Sequence, residues 1–372
     1  MKRTIILMVF LLFCFSFSAS ADSPDTDSFY SEQYYSSGAD GLYSALPEET
    51  QDFLNRNGIS AQNPDFVNSL TAENVFSHIW SFIKSGAKTP IVTGTAVLAV
   101  ILLSAAISSN APGSAAMTAK YATVISAAAV IAAPVYSVIT SGIKAMQGSS
   151  VFMTAFVPVF AVVTAAAGKA ATSASMSALL LGASQAVSFI SNFIVLPLMG
   201  GYLSLNISSA VSPLIKGTGI ADGIKKIALW TMSLTSTLFI GILGIQTAVN
   251  SAADSLSLKT AKFIVGSSVP VAGTALSEAL STVTASLGLL KAGIGIWGVI
   301  ACAAIFLPLL AELILWRIML HITSAVADLF SISEISVILR SIDNVMSVLS
   351  GIILLIGAVF IISLTVVVGA AK

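Results

Sequence analysis

The side chains of this sequence that could do chemistry are the few charged residues that lie inside apolar segments. Residues 259–290 hold the densest set, because this apolar stretch also contains a proline and a glycine that interrupt a helix. Its charged and helix-breaking residues are Lys259, Lys262, Pro270, Gly273 and Glu278. In hydrocarbon, such a break is tolerated only where protein or a water-filled cavity covers the freed backbone groups. We therefore predict that these residues line or gate a pathway through a membrane.

Glu312 is a second candidate for a pathway residue. It lies in the apolar run IFLPLLAELILWR, which ends at Arg317. An acidic side chain at such a position usually faces a bundle interior, a water-filled cavity or a charged partner. Two interpretations stay open: Glu312 takes part in the pathway, or it forms an ion pair with Arg317 near the membrane surface.

Catalytic motifs are absent from the sequence, and we predict that the protein is not an enzyme. There is no HExxH, P-loop or dinucleotide-binding fingerprint. Ser184 and His321 loosely imitate a serine protease dyad, but a nucleophile needs a base within hydrogen-bond reach and their spacing does not provide one. His78 has no second His or Cys nearby, and Cys302 is the single cysteine after residue 21. The sequence therefore predicts neither a metal site nor a cofactor.

The composition indicates an integral membrane protein of the all-α class. Hydrophobic residues make up 56% of the chain and charged residues 9%, against roughly 45–50% and about 25% in soluble domains. Seven apolar runs are long enough to cross a bilayer, and they cover residues 90–109, 121–143, 151–168, 176–196, 227–249, 293–316 and 349–370. Residues 259–290 form an eighth span or a re-entrant pair. The sequence thus predicts a polytopic α-helical protein with about seven or eight transmembrane segments.

Three further patterns concern how these spans are built. The fourth run continues past Pro197 to residue 210, which predicts a kinked long helix or a half-helix. Residues 321–345 are amphipathic, and we interpret them as an interfacial helix pair that covers the bundle. Residues 127–133 and 164–178 consist largely of small side chains, which favour close packing of helices in a membrane.

The chain divides into three regions. Residues 1–21 have the form of a secretory signal peptide, with a basic start, a short apolar run and small residues at the cleavage site. Residues 22–88 form an acidic region that we predict to be extracytoplasmic, and residues 89–372 form the multi-pass membrane domain. The formal net charge of the chain is zero, and no basic stripe indicates nucleic-acid binding.

The acidic region carries ten acidic side chains between residues 22 and 79, with Arg56 as the single Lys or Arg. Residues 22–45 have no apolar period and predict a flexible arm. Residues 46–59 predict a short helix, because Pro47 suits the start of a helix and Gly58 suits a left-handed cap at its end.

Four segments carry a family signature. They are LPEETQDFLNRNGI, IKKIALWTMSLTSTLFIGILGIQTAV, AADSLSLKTAKFIVGSSVPVAGTALSEALSTV and SVILRSIDNVMSVLSGI. Together they resemble the stage III sporulation protein AE family of endospore-forming bacteria, over essentially the whole mature chain. The third segment is the most specific, because its residues follow the order and spacing of the family. These residues are Asp254, Lys259, Lys262, Phe263, Pro270, Val271, Gly273, Leu276 and Glu278.

The resemblance implies a location and a set of partners. The family acts in the mother-cell membrane that surrounds the engulfed forespore, together with other stage III sporulation proteins that include a separate ATPase and ring-forming subunits. That complex meets stage II sporulation protein Q from the forespore and is expected to form a channel or feeding tube that supports forespore development. The resemblance therefore implies an export-type membrane subunit whose acidic region projects between the two membranes.

An autonomous secondary transporter for a small solute or ion is the alternative function. Such proteins also bind ions and substrates at discontinuous helices near the membrane midplane, with broken segments in corresponding halves. This sequence has one clear break, at Pro270 and Gly273, and only a weak counterpart around Pro197. The channel subunit is therefore the favoured interpretation.

Overall fold

The computed structural model describes residues 26–62, 77, 80–84, 86–110, 113–211, 218–268 and 273–369. These residues are helical apart from short turns and contain no strand, which confirms the all-α class. The helices in chain order are α1 (Thr26–Ser36), a 3₁₀ helix (Ala39–Ala45), α2 (Glu48–Arg56), α3 (Lys88–Asn110), α4 (Gly113–Ala166), α5 (Ala170–Ile190), a π-helical turn (Ser191–Val195), α6 (Leu196–Val211), α7 (Thr218–Ser268), α8 (Gly273–Leu329) and α9 (Ser333–Gly369). The predicted signal peptide and His78 lie outside the described residues.

Six helices in the described part of the chain are long and apolar enough to cross a membrane. They are Trp80–Ile107, Tyr121–Ala166, Ala170–Leu205, Asp222–Ser257, Leu287–Leu329 and Ile335–Thr365. The number differs from the seven predicted spans because residues 121–143 and 151–168 are not separate helices. Both runs belong to α4, which is 54 residues long.

The polar residues between those two runs do not end α4 because their side chains find partners inside the bundle. The hydroxyl of Ser149 donates a hydrogen bond to the carbonyl oxygen of Met146 at 2.7 Å. The hydroxyl of Ser150 donates to the carbonyl oxygen of Ser184 on α5. Satisfied polar groups can be buried at little cost, so the helix continues where the composition of the sequence suggests a loop.

The fourth predicted run is one long helical stretch with an irregular turn. α5 passes into the π-helical turn at Ser191–Val195, and α6 follows with Pro197 as its second residue. Proline has no N–H, and its ring clashes with the carbonyl group four residues earlier, here that of Phe193. A π-helical turn just before Pro197 relieves this conflict without ending the helix.

The hairpin of α8 and α9 forms the centre of the bundle. The two helices pack against each other along their length, with α4 against both of them, and α7 covers the side formed by α8 and α9. The apolar face of α9 near the hairpin turn is at most 1% exposed, and it consists of Ile335, Ile338, Leu339, Ile342 and Val345. The interfacial helix pair predicted for residues 321–345 is therefore wrong. These residues form the closed end of a central hairpin, and their polar face is what makes the pattern amphipathic.

The acidic N-terminal region is folded and packs on the bundle. α1 and α2 lie against α8, and the 3₁₀ helix lies against α4. Eight apolar or aromatic side chains among its described residues are buried, and they are Tyr30, Tyr34, Ala39, Leu42, Leu46, Leu54, Ile59 and Ala61. The flexible arm predicted for residues 22–45 is therefore wrong for the described residues 26–45. The composition of residues 22–45 hides this packing, because the buried Tyr30 and Tyr34 carry polar hydroxyls and lie among Ser and Asp residues.

Hydrogen bonds fix this region internally. The hydroxyl of Tyr30 donates to the carbonyl oxygen of Ala61 at 2.9 Å, and the hydroxyl of Tyr34 donates to the carbonyl oxygen of Ala39 at 3.1 Å. Burial raises the pKa of Tyr34 to about 12. The short helix predicted for residues 46–59 is confirmed as α2, with Pro47 at its N-cap and Gly58 beyond its end at a φ of 64°.

Candidate functional site

The break predicted in residues 259–290 lies between two helices rather than inside one. α7 ends at Ser268 and α8 begins at Gly273. Lys259 is exposed near the end of α7. The side chains of Lys262 and Glu278, the surroundings of Gly273 and the position of Pro270 lie outside the described residues. A role of these residues in a pathway stays a prediction.

Glu312 lies far along α8 from that break. About 58 Å of helix separates it from Gly273. A Cβ atom at Gly86 would lie 3.4 Å from the Cβ atom of Glu312, so the chain before α3 passes closely over this half-buried carboxyl group. Among the ion pairs of the described residues, Arg317 pairs with Asp343, to which its Nε atom donates at 3.0 Å, and not with Glu312. The ion-pair interpretation of Glu312 is therefore wrong, and its pathway role stays a prediction.

Charged side chains meet at another place, where the turn between α4 and α5 approaches α7 and α8. Asp254 of α7 is 4% exposed, and its two carboxylate oxygens accept hydrogen bonds from the backbone N–H groups of Ala171 (2.8 Å) and Thr172 (3.1 Å). The first N–H groups of a helix have no partner within that helix and lie at the positive end of its dipole. Asp254 therefore acts as a cap for α5 that is supplied by a neighbouring helix.

A second polar contact holds α7 against α5. Asn250 precedes Asp254 by one helical turn, so both side chains lie on the same face of α7. The Nδ2 atom of Asn250 donates to the hydroxyl of Ser175, which in turn donates to the carbonyl oxygen of Ala171 at 2.9 Å. Buried hydrogen bonds, and not apolar contact alone, therefore set the register between these two helices.

The turn between α4 and α5 places Lys169 beside the cap. Gly168 has a φ of 80°, a left-handed conformation that favours glycine, and the backbone N–H of Lys169 donates to the carbonyl oxygen of Thr164 at 3.1 Å. Burial lowers the pKa of the half-buried Lys169 ammonium, and the carboxylate of Asp254 acts in the opposite direction. This turn thus brings a cation next to Asp254.

Lys291 of α8 completes the group, which we call the charged cluster: Lys169, Asp254 and Lys291. Lys291 is fully buried, with 0% exposure, and its Nζ atom lies 5.8 Å from the centre of the Phe160 ring on α4. Lys169 and Asp254 are close enough to act on it electrostatically. Among the described residues, Nζ of Lys291 has no hydrogen-bond partner. A buried ammonium without a partner is costly, and ionisable residues at membrane depth commonly mark functional sites.

A row of aromatic rings runs along α4 from the charged cluster. The ring of Phe156 lies 5.4 Å from that of Phe152 and 5.3 Å from that of Phe160, and Trp297 of α8 lies 5.9 Å from Phe152. Gly298 makes this packing possible, because a Cβ atom there would lie 2.5 Å from the Phe156 ring. The row fixes the separation of α4 and α8 and closes the apolar side of the cluster.

A second group of charges joins α8 to α9 near the hairpin turn. Asp343 pairs with Arg317 at 3.0 Å and lies 3.5 Å from His321, and Arg340 pairs with Asp328 at 2.5 Å. These contacts connect residues of one hairpin and are partly exposed, so a structural role accounts for them.

The dyad of Ser184 and His321 is not formed. The hydroxyl of Ser184 donates to the carbonyl oxygen of Leu181 at 2.8 Å and lies beside α4, whereas His321 contacts Asp343 on α9. Within the described residues, no group of three or more His, Cys, Asp or Glu side chains could hold a metal ion. Cys302 is a buried free thiol on α8.

Sequence reasoning finds only one member of the charged cluster. Asp254 belongs to the family signature, whereas Lys169 and Lys291 are not among the predicted site residues. The signal for Lys291 is present, because it lies in the apolar stretch LGLLKAGIGIWG and an ionisable residue at membrane depth is a functional candidate by default. No local spacing indicates Lys169, since its neighbours in the cluster come from two distant helices.

The fold and the charged cluster define a polytopic α-helical membrane protein whose helices are joined by buried polar contacts. A family model described as Stage III sporulation protein AE matches residues 54–371, and the chain belongs to this family. Stage III sporulation protein AE of Bacillus subtilis (strain 168) is 28% identical over 233 residues, which are 62% of this chain and 57% of that relative. The match thus spans little more than half of the relative. No solved structure matches the chain.

Proposed function

We propose that this sporulation membrane protein is a subunit of a channel or export-type complex that links the mother cell and the forespore and is required for forespore development. In this proposal it lies in the mother-cell membrane around the forespore, and a separate ATPase supplies the energy. Membership of the stage III sporulation protein AE family supports the sporulation role. The observation that carries the channel role is the position of the acidic N-terminal region on the helix bundle.

This region lies against α4 and α8. The Cγ atom of Pro47 is 2.7 Å from the position that a Cβ atom would take at Gly148, and the hydroxyl oxygen of Tyr30 is 2.6 Å from the position that a Cβ atom would take at Gly293. Both helices contain stretches long and apolar enough to cross a membrane. The contact on α8 falls in an apolar stretch, and the contact on α4 falls at the polar residues between its two apolar runs.

The acidic side chains of this region whose exposure the structure describes all face outward. They are Glu32, Asp40, Glu48, Glu49 and Asp52. Ionised carboxylates are unstable in hydrocarbon unless they are paired. The face of α4 and α8 under this region therefore borders water or another protein instead of lipid.

α7 presents the opposite kind of surface. Only 18% of its most apolar part is buried within the bundle, against 67% for α9. The side chains that it exposes include Ile227, Trp230, Leu238, Ile245 and Val249. A bundle with a lipid-compatible face on α7 and a water-compatible face on α4 and α8 is the arrangement expected for a subunit in the wall of a channel.

One cavity among the described helices is too small to be a solute-binding site. It lies between α3, α4, α8 and α9 and is lined by Thr93, Val97, Ile131, Trp316 and Thr323, among others. Its volume is about 10 Å³, which is room for about one water molecule. Sites for small molecules are typically about 300–1,000 Å³.

The two faces can be tested by spin labelling of the full-length protein in liposomes. With Cys14 and Cys302 replaced by Ser, single labels are placed at Asn55 in the acidic region, at Lys144 on α4 one turn before Gly148, and at Ile245 on α7. We expect the first two labels to be relaxed by a water-soluble nickel chelate and the third by oxygen dissolved in the bilayer. A lipid-type response at Lys144, or a water-type response at Ile245, would contradict the proposal.

The partners and the alternative function need a separate experiment. Protein solubilised from sporulating cells of the native host should co-purify with a membrane-associated ATPase and with ring-forming membrane proteins that contact stage II sporulation protein Q. Purified protein alone should not move solutes across liposomes. Transport of a small solute by the protein alone, driven by an ion gradient, would favour the secondary transporter.

A further inference from the structure

The charged cluster has more hydrogen-bond donors than acceptors. An ammonium group carries three donors and no acceptor, and none of the three on Lys291 has a partner among the described residues. The buried hydroxyls of Thr164, near the end of α4, and of Thr172, near the start of α5, also have no partner there. The nearby carboxylate of Asp254 already accepts two backbone hydrogen bonds at the start of α5. Among the described residues, the Lys291 ammonium and the two threonine hydroxyls therefore lack acceptors.

The cluster also has an excess of positive charge when its side chains are ionised, with two lysines and one aspartate. Loss of the proton from Lys291 would remove one charge but would leave its remaining N–H groups and the two hydroxyls without acceptors. A bound anion would supply the missing charge and the missing acceptors together. The donor set, two ammonium groups and two hydroxyls, is of the kind that holds tetrahedral oxyanions.

We propose that the charged cluster binds one phosphate group, which belongs to an acidic lipid or is free in solution. In this proposal Lys291 and Lys169 provide the charge, the hydroxyls of Thr164 and Thr172 donate to phosphate oxygens, and Asp254 stays bonded to α5. The inference rests on these side chains and does not depend on the channel role.

The location of the cluster suits such a ligand. Lys169 lies in the turn between the candidate spans Tyr121–Ala166 and Ala170–Leu205. Asp254 and Lys291 lie inside α7 and α8, so the cluster forms where the turn between α4 and α5 meets two long helices. Lys169 is only half-buried, so the turn provides the approach to the fully buried Lys291. Basic pockets between membrane helices are known to hold anionic headgroups.

Binding can be measured on the full-length protein with two probes. Inorganic phosphate is titrated calorimetrically into delipidated protein in detergent, and native mass spectrometry counts phosphatidylglycerol against phosphatidylcholine retained from mixed nanodiscs. The test variant is Lys291→Met, which keeps an apolar side chain of similar length in a buried position. The matched control is Lys144→Met, which removes the same charge from an exposed position on α4.

We expect saturable binding of phosphate or stoichiometric retention of phosphatidylglycerol, and the probe that binds identifies the source of the phosphate group. Lys291→Met should weaken that binding at least 10-fold, Lys291→Arg should retain most of it, and Lys144→Met should change it less than twofold. If Lys291→Met does not fold, Lys169→Met replaces it and should weaken binding at least 3-fold. The proposal is overturned if neither probe binds to the wild-type protein. It is also overturned if the cluster variant, Lys291→Met or Lys169→Met, binds the probe as tightly as Lys144→Met.

Discussion

Replacing Asp254 tests whether the cap that α7 supplies to α5 holds the bundle together. In Asp254→Ala, the backbone N–H groups of Ala171 and Thr172 lose their acceptor. Water cannot easily replace it, because Asp254 is only 4% exposed. Each buried donor without a partner costs about 1–3 kcal/mol. The variant also removes the negative charge beside Lys169 and Lys291. Removing one partner of a buried ionic group costs about 3–5 kcal/mol in total. We therefore expect Asp254→Ala to lower the free energy of unfolding by about 3–5 kcal/mol.

Two comparison variants separate the cap from a general effect of substitution. Asp254→Asn keeps one carbonyl oxygen as an acceptor and should cost only about 1–3 kcal/mol. Asp222→Ala removes an exposed carboxylate from the same helix and should stay within about 0.5 kcal/mol of the wild type.

The assay combines global unfolding in detergent with hydrogen exchange of the peptide that contains the first turn of α5. A local loss of 3 kcal/mol corresponds to roughly a 100-fold loss of amide protection, at about 1.4 kcal/mol for each factor of ten. Asp254→Ala should show this loss at Ala171 and Thr172, and Asp222→Ala should not. Unchanged protection there, together with unfolding within about 1 kcal/mol of the wild type, would refute the capping argument.

Three further predictions concern the packing of the bundle. Gly148→Leu should push Pro47 away, because even a Cβ atom at Gly148 would lie 2.7 Å from the Pro47 ring. We expect tryptic cleavage in the acidic N-terminal region to accelerate at least tenfold. Gly244→Leu is the control and should leave the cleavage rate unchanged, because a Cβ atom there would have nothing within 4 Å. The buried thiol of Cys302 should resist an impermeant maleimide in the folded protein and react after denaturation; rapid labelling of the native protein would contradict its burial. Ser184→Ala should lower the free energy of unfolding by about 1 kcal/mol or less and leave spore formation intact. Loss of spore formation in this variant would indicate a chemical role for the Ser184 hydroxyl.

The charged cluster and the acidic region give the protein a polarity that a uniform lipid-embedded bundle would lack. The acidic region covers α4 and α8 on one side, and α7 exposes apolar side chains on another. Lys291, which is fully buried, lies on α8, the helix that contacts both α7 and α1 of the acidic region.

Local features of the sequence predict local structure well. α2 begins after Pro47 and is followed by Gly58 at a positive φ, because a proline and a glycine restrict their own backbone whatever surrounds them. The irregular turn before Pro197 follows from the same kind of restriction. The continuity of α4 could not be predicted in this way, since it depends on Ser150 reaching a carbonyl group of α5.

By itself, the sequence determines that this protein is a polytopic α-helical membrane protein of the stage III sporulation protein AE family. It does so because the thickness of a bilayer converts directly into the length of an apolar run, and because the most specific signature residues follow a fixed order and spacing within residues 254–278. Only the tertiary structure decides that Lys169, Asp254 and Lys291 meet and that the acidic region is folded onto the bundle. Those contacts join helices far apart in the chain, and the packing that creates them leaves no period in the sequence of any one helix.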